Sequence, residues 1–158
     1  AHSALAYIGL GAGHAFVHQA IADPAIRPVI ERLMREEAVP TIDAAPGQDL
    51  TAYAGALLDR FANPALNHRL IQIATDGSQK IPQRWLETLA WHQNRGARCP
   101  ALETAIAAWI AFLRSDHPID DPLAEQLRTA VAGERVMERL FGANGLLPSG
   151  WHPEDILA

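Results

Sequence analysis

The stretch NPALNHRLIQIATDGSQKIPQRWLETLAW, Asn63 to Trp91, decides how the rest of the chain is read. Asn63-Pro64 predicts a helix start, with asparagine as N-cap and proline at the first helical position, where its missing N–H costs nothing. Leu66, Leu70, Ile71 and Ala74 recur at helical spacing and predict a short helix with one apolar face. Asp76-Gly77 ends it with a dipeptide suited to positive φ. Ser78 is expected to cap a second, amphipathic helix that tolerates Pro82 in its first turn. Lys80 then stands near a helix N-terminus, where the macrodipole disfavours a cation. Two readings of Lys80 follow, a group awaiting an anionic or hydroxyl-rich ligand and a solvated surface lysine.

Working outward, the flanking segments repeat this helical grammar. Asp49 reads as the cap of a helix whose stripe is Leu50, Tyr53, Ala54, Leu57, Leu58 and Phe61. Before it, Asp23-Pro24 opens a segment that Pro28 should kink or restart. There Val29, Ile30, Leu33 and Met34 face inward, and Glu31, Arg32, Arg35, Glu36 and Glu37 form a charged outer surface with i, i+4 pairs. Pro40 to Gln48 is a connection. After the central stretch, Asn94-Arg95-Gly96 stops one helix and Cys99-Pro100 starts another, striped by Leu102, Ala105, Ile106, Trp109, Ile110 and Leu113. Asp121-Pro122 repeats the cap-plus-proline device ahead of a helix running through about Phe141. The tail, Gly142 to Ala158, is rich in glycine and proline, with Trp151 as its anchor. No alternating strand pattern, repeat or low-complexity tract interrupts the series, so the chain reads as all-α.

The N-terminal segment, about Ser3 to Ala22, is apolar nearly all round (Leu5, Ile8, Leu10, Phe16, Val17, Ile21) and reads as a buried helix too short and interrupted to cross a bilayer. Gly9, Gly11 and Gly13 fall short of a dinucleotide fingerprint, because G-x-G-x-x-G needs glycine where the chain has His14, and no strand ending in an acid follows. Glycines on a buried helix permit close approach of a neighbour. His14 and His18 stand at the i, i+4 spacing of a metal pair. No acid lies between them and no third ligand is evident, so hydrogen-bonded histidines are expected and no metal site.

Composition bounds the function classes. The chain has 158 residues, enough for one domain with its own core, with 49% hydrophobic and 20% charged residues. A net charge of −5 without a basic run argues against a nucleic-acid surface. Cys99 is the only cysteine, which excludes an internal disulfide and suits the cytoplasm. No signal-peptide pattern opens the chain. No nucleophile motif or paired-carboxylate cluster is visible.

Two runs carry a resemblance. RFANPAL at Arg60 to Leu66, followed by QIATDGSQKIPQR at Gln72 to Arg84, closely resembles the C-terminal domain of the long-chain mannitol dehydrogenase family, which includes mannitol 2-dehydrogenase, arabinitol 4-dehydrogenase and fructuronate reductase. HSALAYIGLGAG, His2 to Gly13, resembles the segment that follows the family's K-x-x-x-x-N-x-x-H motif, whose last residue would be His2. The resemblance spans essentially the whole chain. It implies a multi-helix domain over 1–158, similar to the 6-phosphogluconate dehydrogenase C-terminal domain. It also implies that the chain is a fragment, with a nucleotide-binding domain and the motif lysine and asparagine lying upstream of Ala1.

By that resemblance the parent is an NAD(P)-dependent oxidoreductase interconverting a secondary alcohol and a ketone, mannitol with fructose or mannonate with fructuronate. NAD, or NADP, would be bound mainly by the missing domain, and the fragment alone would be inactive. His2 would help bind and orient the reacting oxygens as a part-catalytic residue. Lys80 would hydrogen-bond substrate hydroxyls or a terminal carboxylate. Gln72 and Asp76 would line the same pocket, or serve only as helix-surface and capping polarity. Arg84, on the same face as Lys80, suits a uronate carboxylate or pairs with Glu87. No residue of this chain is expected to bind the cofactor or a metal. The other reading is a stand-alone helical interaction or oligomerisation module whose apolar stripes complete a core with a partner; apolar surface left by the missing domain predicts a dimer of the fragment.

Overall fold

A computed structural model describes residues 1–153, so the end of the tail, 154–158, lies outside the described residues. The regular structure of the described residues is helical, and their only β pairing is two isolated bridges, Phe16 with Arg69 and Thr75 with Asp120. They fall into two compact units: Ala1–Ala74 with Cys99–Trp109, and Thr75–Arg98 with the residues from Ile110 onward.

In the first unit, α1 (His2–Gly11) is the buried centre, with Ala4, Leu5, Ala6 and Tyr7 all but inaccessible. Burying a leucine-sized side chain stabilises by roughly 1.5–3 kcal/mol, so this one helix anchors the unit. It packs on α2 (Val17–Ala22) and α5 (Leu70–Ile73), and α2 packs on α4 (Leu50–Ala62). Gly9 allows the approach: a Cβ there would stand 2.7 Å from Leu70 Cδ1 and 2.8 Å from the Ala20 methyl. The expected continuous helix from Ser3 to Ala22 is instead two. Gly13 takes a left-handed φ of +88°, open only to glycine at little cost, and the chain turns before Val17.

α3 (Arg27–Arg32) runs on through a π-helical turn, Leu33–Ala38, and a 3-10 turn, Val39–Thr41. Ile30, Leu33 and Met34 are buried as the stripe requires, but Glu37 is not part of the charged outer face. Only 3% exposed, its carboxylate accepts the backbone N–H groups of Ala101 and Leu102 at 2.9 and 2.8 Å. It thereby caps the start of α8 (Pro100–Arg114) from a distant part of the chain. Beside it, burial foremost and then the Glu37 charge push the Cys99 thiol up to about 12. Asp49 caps α4 as expected, accepting from Ala52 N at 3.0 Å. Tyr53 departs from its stripe and is 64% exposed.

The predicted helix from Pro64 to Ala74 is broken. Asn63 Oδ1 does accept from Ala65 N at 3.0 Å, yet only a 3-10 turn follows, Pro64–Leu66, and Asn67 turns left-handed at φ 46°. Residues 67–69 are drawn into pairing with the segment before α2: Val17 N donates to His68 O and Leu70 N to Ala15 O, both at 2.9 Å. Two non-local backbone bonds thus outweigh the local helical preference.

The second unit opens with α6 (Gly77–Ile81), which passes through a π-helical turn, Pro82–Leu86, into α7 (Glu87–Gln93). Pro82 cannot donate to the preceding turn, and the helix widens where that bond is lost. Trp85, Leu86 and Leu89 are buried on its inner face, and Gly96, at φ +74°, follows its end. The last turn of α8 belongs to this unit, with Phe112 and Leu113 buried. The single helix expected through Phe141 divides into α9 (Ala124–Val131) and α10 (Val136–Phe141), because Arg135 is left-handed at φ 58°. Trp151 anchors the tail as expected, 3% exposed and edge-on to Phe141 at 5.4 Å. No helix of the described residues is long and apolar enough to cross a membrane.

Candidate functional site

His2 opens α1 half-buried, its ring edge-on to Phe61 with centroids 4.6 Å apart. Both border a cavity of about 50 Å³ in the first unit, together with Val17, His18, Arg60, Asn63, Leu66 and His68. This volume holds a water or two, or one hydroxyl or carboxyl group of a larger molecule. No carboxylate of the described residues lines it. The elements that assemble it are the head of α1, the start of α2, the last turn of α4 and the chain after it. The Phe16–Arg69 bridge fixes the last of these, and the Arg69 guanidinium lies 5.9 Å over the Phe16 ring. His18 Nδ1 is buried without a hydrogen-bond partner.

The two histidines of the i, i+4 pair have separate fates. His14 precedes α2 and pairs through Nε2 with Asp23 Oδ2 at 2.9 Å. That bond, with a second from Ala25 N, holds the Asp23 carboxyl below its usual range. The expected hydrogen-bonded pair is therefore realised for His14, whereas His18 borders the His2 cavity. No group of three or more His, Cys, Asp or Glu side chains fit to hold a metal occurs among the described residues.

Lys80 lies in the second unit, half-buried, with Nζ 3.4 Å from Thr75 Oγ1. Asp76 takes the left-handed conformation at φ 53°, ψ 38°, as the Asp-Gly dipeptide foretold, and its carbonyl accepts the N–H groups of Gln79 and Lys80. Asp76 N donates to Asp120 O at 2.8 Å. Ser78 is not the cap. It sits one residue inside α6, 4% exposed, and its N–H and hydroxyl both donate to the Asp121 carboxylate. Asp121 also accepts from Leu123 N at 2.9 Å, so one carboxylate serves its own turn and the head of α6.

Of the sequence-predicted site residues, His2 and Gln72 fall in the first unit and Asp76, Lys80 and Arg84 in the second. Gln72 is exposed on α5 and does not border the His2 cavity. Asp76 and Arg84 are exposed; Arg84 follows Lys80 by one turn along the helix. Arg60 and His68 are not among the sequence-predicted site residues, although Arg60 stands inside the run that carries the family resemblance. His18 reads from sequence as one of a hydrogen-bonded pair and Asp121 as a helix cap, and the Asp121 contact with Ser78, 43 residues away, has no local signal.

Of the three glycines Gly9, Gly11 and Gly13, Gly9 faces Leu70 and Ala20, and Gly13 turns the chain.

The chain belongs to the mannitol dehydrogenase C-terminal domain family, whose model matches residues 1–141. It is 35% identical over 154 residues to the D-mannonate oxidoreductase of Escherichia coli, covering 92% of this chain and 32% of that protein. It is 37% identical over 133 residues to a mannitol 2-dehydrogenase of Phaeosphaeria nodorum, covering 80% and 23%. The Pseudomonas fluorescens mannitol 2-dehydrogenase, solved with NAD and D-mannitol, superimposes with a TM-score of 0.86 at 29% identity, covering 94% of this chain and 32% of that one. The chain thus spans about a third or less of the length of these relatives.

Proposed function

We propose that this chain is the substrate-binding and part-catalytic C-terminal portion of a cytoplasmic NAD(P)-dependent oxidoreductase. The reaction interconverts a secondary alcohol and a ketone on a six-carbon polyol or sugar acid, mannitol with fructose or mannonate with fructuronate. The family and the names of the relatives support the reaction class. The observation that carries the site is the cavity at His2, sized for a single oxygen-bearing group, where imidazole, guanidinium and amide groups stand beside apolar side chains and, among the described residues, no carboxylate.

In this reading His2 hydrogen-bonds the reacting oxygen and holds it in place, since imidazole donates or accepts near neutral pH. Lys80 hydrogen-bonds substrate hydroxyls or a terminal carboxylate. Asp76 shapes the turn that carries Lys80, Arg84 extends the cationic face for an acidic substrate, and Gln72 serves the surface of α5. The cofactor supplies hydride transfer. In this reading the nucleotide is held mainly by residues outside this chain, and the chain by itself is inactive.

The test is turnover by the full-length protein, followed through NADH and NADPH absorbance with mannitol, fructose, mannonate and fructuronate. His2→Ala should lower kcat on the order of a hundred-fold, and Lys80→Met should raise the sugar KM about ten-fold. No turnover with any of the four, or His2→Ala within about two-fold of the parent kcat, sinks the assignment.

A further inference from the structure

Lys80 is carried by a turn that its own sequence favours and that a distant segment holds in place. Asp76 is left-handed, a region that L side chains other than Asn and Asp rarely enter, and the helix starts immediately after it. Both ends of the turn are held from the same place in the chain. On one side Thr75 pairs with Asp120 in the parallel bridge, and Asp76 N donates to Asp120 O at 2.8 Å. On the other, the Asp121 carboxylate accepts from Ser78 N at 2.8 Å and from the Ser78 hydroxyl, while tied to its own turn through Leu123 N at 2.9 Å. A carboxylate has about four lone-pair sites, so three donors are accommodated without strain, and its charge strengthens each bond. Lys80 follows Ser78 by two residues, and its Nζ stands 3.4 Å from Thr75 Oγ1. The backbone that launches the lysine and the hydroxyl beside its ammonium are thus fixed by the Asp120–Asp121 pair.

We propose that Asp121 is a positioning residue for Lys80: it sets where the ammonium meets the substrate, and so governs substrate affinity in the dehydrogenase reading on which this inference rests. It touches no substrate itself. A loop read from sequence only as a helix cap becomes part of the substrate apparatus, acting through the turn.

The experiment is a double-mutant cycle in the full-length enzyme, using Asp121→Ala, Lys80→Met and the double variant. Asp121→Ala is expected to raise the sugar KM on the order of ten-fold, with kcat and the KM for NAD within about two-fold. The double variant should be no worse than Lys80→Met alone, because both changes remove the same interaction. Asp121→Asn, which keeps the shape and one acceptor oxygen, should recover part of the affinity; Ser78→Ala, a milder cut, serves if Asp121→Ala does not fold. Effects that multiply in the double variant, or that raise the sugar and NAD KM together, overturn the positioning role. Amide hydrogen exchange of Ser78 and Lys80 in the same proteins reads the clamp without catalysis: unchanged protection in Asp121→Ala overturns the clamp. Absence of any turnover in the parent sinks the dehydrogenase reading and the positioning role with it, and leaves the exchange result to judge the clamp alone.

Discussion

Glu37 offers the sharpest test of how the first unit is held together. Its carboxylate is 3% exposed and accepts two backbone N–H groups at the start of α8, with Arg32 Nε 3.5 Å away. Glu37→Ala leaves those N–H groups without their acceptor in a buried setting. A hydrogen bond to a charged group is worth roughly 1.5–3 kcal/mol, and a lost helix cap costs about 1 kcal/mol. Against this, removing the carboxylate relieves its own desolvation, so the contributions do not add in full. The net loss should be about 3 kcal/mol, which for a chain of this size lowers Tm by roughly 6–12 °C. Glu37→Gln keeps the stem and one acceptor oxygen and should lose about half as much. Glu36→Gln is the control, since Glu36 is 64% exposed and pairs only with Arg32, and should stay within about 0.5 kcal/mol of the parent. Equilibrium urea unfolding with scanning calorimetry gives all three values. If Glu37→Ala costs less than about 1 kcal/mol, or no more than Glu36→Gln, the capping account is wrong.

Two further outcomes follow from the same unit. Gly9→Ala places a methyl 2.7 Å from Leu70 Cδ1 and 2.8 Å from the Ala20 methyl; overpacking should cost about 1–3 kcal/mol in the same urea assay, and a neutral or stabilising result would refute the close contact. The His14–Asp23 bond depresses the Asp23 carboxyl, so the folded state binds this proton less readily than the unfolded chain does. The stability it contributes is complete above the unfolded carboxylate value of about 4 and is lost as pH falls through the lower folded value. The gap in stability between the parent and Asp23→Asn should therefore be open at about pH 6 and close toward about pH 2; a gap that stays constant over that range would contradict the linkage.

The fold class, the family and several helix starts were legible in the sequence. Apolar periodicity and capping are local signals, so Asp49, Cys99-Pro100, Gly96 and the buried faces of α1 and α8 were legible. Asp76 was legible too, because its left-handed φ is a property of the dipeptide. His2 and Lys80 of the proposed site come from the family motifs. What only the tertiary structure decided is what depends on partners far along the chain. Residues 67–69 leave the helix because the segment before α2 takes their backbone groups. Glu37 leaves the surface because the N–H groups of Ala101 and Leu102, 64 and 65 residues on, need an acceptor. Ser78 yields its capping role to Asp121. A buried backbone donor must be satisfied, and the composition of its own segment does not say from where.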